Sequence, residues 1–419
     1  MNSVAMLYER WRKMAAERRG DFALHDLACG RRWTFAQLFA AGEAQETDGR
    51  SMVCPQGQSA AFIFSLLSAW RTGKVACPLD AGQDLPEVAL PPEGCIHLKR
   101  TSATTAAARL LAFTAEQLAA DAAQIVAAMG LRPDWPNLGV VSLAHSYGFS
   151  NLALPLLLHG IPLILAPSPL PEIIRRAAAD ESAVTLAAVP ALWRAWHEAG
   201  GVPAQVRLAI SAGAPLPLSL EQAVFATSGI KIHNFYGASE CGGIAYEASP
   251  APRTDAAMAG VALPGVRVSV NGEGCLTVRG PAVGHSYWPE ASEALGEGKF
   301  QTSDLAEVKN GLVFLRGRLN DLINVAGRKV SPETIERALL AHPCVRECLV
   351  FGAPSPDEQR TDMIAAVVAS SAGEMELKQF LLESLPPWQV PRCWQFVESL
   401  SAGPRGKISR AEWRAQFIG

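Results

Sequence analysis

Charge is scarce in this 419-residue chain. Only 18% of its residues are Asp, Glu, Lys or Arg, while 49% are apolar, against about a quarter charged in ordinary soluble proteins. That balance favours large buried cores and argues against disorder. The 37 Lys and Arg nearly match the 40 Asp and Glu, and no basic block stands out, so no nucleic-acid partner is indicated. Long apolar runs are missing as well. The longest, Leu152 to Leu165, is interrupted by Pro155, His159, Gly160 and Pro162, whereas a spanning helix needs about 20 largely unbroken apolar residues. No membrane span is expected. The opening MNSVAMLYERWRKMAAERRG is a charged amphipathic segment without an apolar signal core. The nine cysteines include no CxxC and no Cys/His cluster, Cys344 and Cys348 being the closest pair. Reduced thiols and a cytoplasmic protein are the expectation.

What is present is an alternation of short apolar runs and amphipathic segments. The length calls for two or three structural units. Residues 59–73 read as an apolar helix stopped by Gly73, with VACPLD as a strand after it. Thr114 and Gln117 form a capping pattern for a long helix that ends at Gly130. The run GVVSLA has strand length and leads to His145. Then IPLILAP, PEIIRRAAADE, AVTLAAVP, PALWRAWHEAG and VRLAISAG alternate strand with helix, the signature of α/β layers on a largely parallel sheet. Near residue 260 the texture changes: VRVSVNGEGCLTV reads as an Asn-Gly hairpin. After Arg318 a helix–strand–strand–helix pattern of about a hundred residues indicates a small α+β unit.

Three segments carry chemistry. In NFYGASECGG, residues 234–243, a strand ends in a glycine turn. Tyr236 offers a flat face for a base, Ser239 a hydroxyl for a phosphate oxygen, and Glu240 an oxygen ligand for Mg²⁺. In the segment 300–336, Asp304 can accept two ribose hydroxyls. Arg318 completes that grip, and Arg328, following Gly327, can reach a phosphate. In GPRGKISR, residues 403–410, Lys407 sits in a glycine-flanked loop as a compact point charge. A satisfied glutamate, a solvated hairpin and a flexible tail would account for each segment singly, but not for all three in this order.

Taken together, YGASE, TSD, GRLN, GRKV and GK resemble the ordered motifs of the adenylate-forming superfamily. That superfamily comprises acyl- and aryl-CoA synthetases, adenylation domains of nonribosomal peptide synthetases, and luciferase. RRWTFAQL, SAWRTGKVACPLD, SLAHSYGFSN and SAGAPLP extend the likeness over nearly the whole chain. The resemblance implies a large N-terminal α/β domain of several subdomains, residues 1–317, a hinge at 318–320, and a small mobile α+β lid, residues 321–419. It implies that Gly213, Ala214 and Pro215 lie along the adenine, with Tyr236 and Gly237 beside it. Ser239 would then touch the α-phosphate and Glu240 the metal, with Asp304 and Arg318 on the ribose and Arg328 near a phosphate. Lys407 would bridge nucleotide and attacking carboxylate, and His145 would border the acyl pocket.

The phosphate loop departs from the family's glycine-rich pattern. It reads TSATTAAARL, residues 101–110, with Ala103, Ala106 and Leu110 at glycine positions and Arg109 at the lysine position. Thr101, Ser102, Thr104 and Thr105 keep their hydroxyls. Asn320 at the hinge and Ser303 before Asp304 are further departures. The implied activity is ATP- and Mg²⁺-dependent conversion of a carboxylic acid to its adenylate, then transfer to a thiol. The apolar FSNLALPLLL suits an aromatic or aliphatic acid, and the acceptor is CoA or the phosphopantetheine of an acyl carrier protein. Two alternatives stand beside it: a nucleotide-binding protein that has lost ATP turnover, and an oxidative, luciferase-like second step.

Overall fold

In the computed structural model, which describes residues 3–47, 49–84, 91–100, 109–354, 362–400 and 409–418, helices begin where the local chemistry directs. Thr114 accepts the Gln117 N–H and the Gln117 side chain returns to Thr114 N–H, closing the start of helix Ala115–Met129. Thr34 and Gln37 repeat this reciprocal cap on helix Phe35–Ala44. Each such cap contributes about 1 kcal/mol.

The alternating region builds a parallel sheet. Strands Phe22–Asp26, Leu163–Leu165, Asn137–Gly139, Val184–Ala188, Val206–Ser211 and Ile232–Ala238 lie side by side in that order. Their residues are buried on both faces at Leu163–Leu165 and Val184–Ala188, as expected when helices cover a parallel sheet. From Ile232–Ala238 onward the pairing turns antiparallel, through Gly242–Tyr246, Met258–Ala262, Leu312–Arg318, Lys299–Lys309 and Cys275–Arg279. A second sheet of five strands joins Ser286–Trp288, Leu110–Phe113, His97–Arg100, Val75–Ala76 and Met52–Val53. Between them, helix Ala115–Met129 and the π-helical turn Phe149–Ala153 fill the core with Leu118, Ile125, Phe149 and Leu152.

Two local expectations are corrected. GVVSLA is not a strand: the strand is Asn137–Gly139, and residues 140–144 form a connection that is buried at Val140 and Leu143 and half-buried elsewhere. Val140 and Leu143 are apolar because they are buried, not because they pair. The 267–279 hairpin does not turn on Asn-Gly in two residues. Its four-residue loop is organised by the Asn271 side chain, which accepts the N–H groups of Glu273 and Cys275, and the left-handed residue is Gly274.

The small C-terminal domain packs helices Pro332–Leu340 and Glu374–Ser384 on the three-stranded sheet Val345–Pro354, Asp362–Ser370 and Cys393–Phe396. A two-stranded ribbon, Ile323–Val325 with Arg328–Val330, joins it. The molecule is thus a large N-terminal α/β domain with a small α+β domain. Among the described residues no helix is long and apolar enough to cross a membrane.

Candidate active site

Strand Ile232–Ala238 brings Tyr236 to the junction of the parallel and antiparallel halves. Strands Lys299–Lys309 and Leu312–Arg318 pair so that Asp304 stands opposite Arg318. The Tyr236 hydroxyl donates to Asp304 Oδ2 at 2.5 Å, and Arg318 Nε donates to Oδ1 at 3.0 Å. Burial, then the neighbouring carboxylate, pushes the Tyr236 phenol well above its ordinary range, so it stays a donor. Burial works against the Arg318 charge, but Asp304 outweighs it and raises the guanidinium's pKa overall. An ionised carboxylate has about four lone-pair sites. Asp304 uses two here and keeps acceptor capacity for ligand hydroxyls.

The turn after Ala238 carries Ser239 and Glu240. Tyr287 donates to Glu240 Oε1 at 2.9 Å, and the Glu240 carbonyl accepts the Gly284 N–H at 2.8 Å. Arg109, at the end of the altered loop, lies over the Tyr287 ring with its guanidinium carbon 5.5 Å from the centroid. Arg109, Tyr287 and Glu240 therefore form a continuous line. Burial, then Glu240, pushes the Tyr287 phenol up. The second Glu240 oxygen takes no hydrogen bond among the described residues. A carboxylate oxygen beside a serine hydroxyl is the hard donor chemistry that Mg²⁺ takes, so these residues fit that ion.

His145 precedes the helical turn Ser146–Gly148, its Nε2 3.2 Å from Asp80 Oδ2. Ser142 donates to the other oxygen of Asp80 at 2.8 Å. Gly213, Ala214 and Pro215 form an exposed loop between strand Val206–Ser211 and helix Leu218–Ser228. A buried ionic group holds the loop's far end. Arg253 donates to the Leu216 carbonyl at 2.7 Å and to Glu221 at 2.8 Å, while Lys231 bridges Glu221 and Glu247 at 2.6 Å each.

Thr101, Ser102, Thr104, Thr105 and Lys407 lie outside the described residues. Arg328 is not gathered to this site: it stacks over Trp388 within the small domain, 5.5 Å from the ring centroid. Among the described residues, His342, Cys344 and Glu376 bring ligating atoms within 4.8 Å. His342 Nδ1, however, accepts the Cys344 N–H at 3.2 Å. That places the ring proton on Nε2, facing Glu376 at 3.5 Å, which makes a His–Glu pair.

Arg410 lies three residues after Lys407. It reaches Asp321 at 2.6 Å, Glu336 at 2.8 Å, Glu333 at 3.3 Å and the Val350 carbonyl at 2.9 Å. Asp321 ends the short 3₁₀ turn Leu319–Asp321 that also holds Asn320. Arg410 is thereby fastened to the Leu319–Asp321 turn. Gly317, on the other side, packs so closely that a Cβ would come 2.0 Å from Ser331 Oγ. Removing one member of such a group strands the rest. Arg410→Ala should lower stability by about 2–3 kcal/mol in urea unfolding, below the figure for full burial because the side chain is 21% exposed. Arg410→Lys should recover only part of this, since a compact ammonium cannot reproduce the planar fork of donors that reaches Asp321, Glu336 and the Val350 carbonyl. Unchanged unfolding of the alanine variant would contradict the anchor.

Tyr287, Asp80, Asp121, Lys99 and Arg410 were not among the expected site residues. One carried a sequence signal: Asp121 interrupts the apolar stripe Leu118, Ala122, Ile125, whereas Lys99, between His97 and Arg100 in IHLKR, does not stand out.

Tyr236, Asp304 and Arg318 thus meet where the parallel half of the sheet gives way to the antiparallel half. A family profile described as AMP-binding enzyme matches residues 84–288, and one described as AMP-binding enzyme C-terminal domain matches residues 334–407. The chain belongs to this AMP-binding, adenylate-forming enzyme family. It is 32% identical over 268 residues to the fatty acid–[acyl-carrier-protein] ligase ScoC of Streptomyces coeruleorubidus, covering 57% of this chain and 51% of that protein. It thus spans about half the length of that relative. Feruloyl-CoA synthase of Amycolatopsis sp is 28% identical, with 85% and 77% covered. ATP-bound MatB from Rhodopseudomonas palustris superposes with a TM-score of 0.87 at 20% identity, covering 100% of this chain and 99% of that one. Its likeness concerns the fold.

Proposed function

We propose that this protein is an AMP-forming acid–thiol ligase, which joins a carboxylic acid to AMP and passes the acyl group to CoA or a carrier-protein phosphopantetheine. The observation that carries the reading is the convergence of Tyr236, Asp304 and Arg318 in one hydrogen-bonded group, with Glu240 on the turn four residues beyond Tyr236. In the first half-reaction a carboxylate oxygen attacks the α-phosphorus of ATP and the bond to pyrophosphate breaks. In the second, a thiolate attacks the acyl carbon and the bond to AMP breaks, leaving a thioester. Asp304 and Arg318 fix the ribose, Tyr236 lies along the base, and Lys407 offsets the charge on attacking and bridging oxygens. Glu240, with Ser239 beside it, would hold Mg²⁺, which supplies charge neutralisation on the phosphates. A turn of the small domain about Asn320 withdraws Lys407 between the half-reactions. Similarity to named CoA and carrier-protein ligases supports the reading. The acid is aromatic or aliphatic, from the apolar run beyond His145.

The alanines at 103 and 106 favour a second reading, an adenylate-binding protein without turnover. ATP–pyrophosphate exchange across a panel of carboxylic acids separates the two. Exchange with at least one acid is expected. Ala103→Gly with Ala106→Gly should raise its rate several-fold, because close backbone approach to phosphate returns. Arg109→Ala should lower it. Tight AMP binding with no exchange for any acid, and no response to the glycines, would establish the second reading.

A further inference from the structure

We propose that Lys99 and Asp121 form a buried clamp that positions Glu240 through the Gly242–Gly243 backbone. The proposal rests on the reading of Glu240 as the metal ligand. Lys99 lies on strand His97–Arg100, immediately before the altered phosphate loop, and is 3% exposed. Its ammonium is 3.9 Å from Asp121 Oδ2 and 3.4 Å from Ser150 Oγ, under the rings of Phe113 and Phe149 at 4.5 and 5.8 Å. Asp121, on helix Ala115–Met129, is 2% exposed. Its Oδ2 accepts the Ser150 hydroxyl at 2.5 Å, and its Oδ1 accepts the Gly243 N–H at 3.2 Å. Gly242 has φ +67°, and a Cβ there would stand 2.0 Å from Asp121 Oδ1. The end of the Ser239–Cys241 turn is therefore seated directly on the carboxylate, and Glu240 is two residues away.

Stability alone does not account for this pair, because apolar residues of similar volume usually replace a buried ion pair without loss. Its chemistry is that of a fixed acceptor. Hydrogen bonds to a charged acceptor are the stronger ones, and the Lys99 ammonium on one side with the Gly243 N–H on the other fixes where the Asp121 oxygens lie. Lys99 is the cation available. His97, two residues earlier on the same face, has no hydrogen-bond partner on either ring nitrogen among the described residues and stacks on Phe149 at 4.3 Å. Burial, then Lys99, holds that imidazole neutral, well below its ordinary range. Burial lowers the Lys99 pKa, and Asp121, Cys241 and Glu240 oppose the shift. A rigid Glu240 turn matters more here than in a chain whose phosphate loop keeps its glycines.

Three variants of the full chain test the clamp: Lys99→Met, Ser150→Ala, and Lys99→Met with Asp121→Leu. Three measurements are made on each: the thermal midpoint, amide exchange of the peptide spanning 239–246, and calorimetric affinity for Mg–ATP against AMP. Lys99→Met should speed exchange at 242–243 and weaken Mg–ATP about tenfold, the scale of one charge-assisted hydrogen bond, with AMP affinity unchanged. The double variant should regain the thermal midpoint but neither exchange protection nor Mg–ATP affinity, because the Gly243 N–H has lost its acceptor. Ser150→Ala should fall between, and it decides the matter should Lys99→Met fail to fold. Recovery of all three quantities by the double variant, or wild-type exchange in Lys99→Met, would overturn the clamp. Should wild type bind no nucleotide, the ligase reading falls, while the exchange data still decide the clamp.

Discussion

Lys407→Ala should reduce adenylate formation about a thousandfold, the scale of one removed donor aimed at developing transition-state charge. Thioester formation from a supplied acyl-adenylate should persist within a few-fold. The asymmetry follows from what the ammonium faces in each half-reaction. In the first, negative charge gathers on the carboxylate, the α-phosphoryl oxygens and the departing pyrophosphate. In the second, the phosphoryl group leaves as AMP, and on the proposed reading the lysine is withdrawn. On the proposed reading Arg410 would couple Lys407 to a turn of the small domain, because it is tied to Asp321 beside Asn320. The measurement is pyrophosphate exchange for the first step and single-turnover thioester formation for the second, both on the same preparation. Equal losses in both would refute a role confined to adenylation, and no loss in either would remove Lys407 from the site.

The parallel half of the sheet was legible because each strand is a short apolar run set off by an amphipathic helix. Burial on both faces leaves that trace in composition, as at Val184–Ala188. The same trace misleads at GVVSLA, where buried loop residues are as apolar as strand residues and pairing leaves no separate mark. At 267–279 the turn signal named the right asparagine but the wrong glycine, since the Asn271 side chain shapes a longer loop whose left-handed residue is Gly274. Among the candidate site residues, Tyr236, Glu240, Asp304 and Arg318 were singled out by the order of their motifs, and the first, third and fourth of them meet in one hydrogen-bonded group. Their partners were not singled out. Tyr287 reaches Glu240 across 47 residues and Arg410 reaches Asp321 across 89; such pairings are set by topology, not by local pattern. Asp121 lay between the two cases, because its helical spacing put a carboxylate on an apolar face while nothing local named the Gly243 N–H as its partner.

Asp304→Ala should weaken AMP and ATP alike by about 1.5–3 kcal/mol, roughly tenfold to a hundredfold in Kd. The effect on both nucleotides is the discriminating feature, because the ribose is common to them. Asp304 holds Tyr236 and Arg318 at once, so its loss removes a ligand contact and also frees two neighbours. Asp304→Asn separates these contributions. The amide keeps one acceptor for the Tyr236 hydroxyl but loses the charge that holds Arg318, so its loss of affinity should fall between wild type and alanine. Tyr236→Phe should cost less than either, since it keeps the flat face and loses only the hydroxyl. Calorimetric titration of the four proteins with AMP and ATP gives the order wild type, Tyr236→Phe, Asp304→Asn, Asp304→Ala. Unchanged affinity in Asp304→Ala would show that the ribose is held elsewhere and would sink the nucleotide-site assignment. A loss for ATP but not AMP would move Asp304 from the ribose to the phosphates, a place its pairing with Tyr236 does not favour.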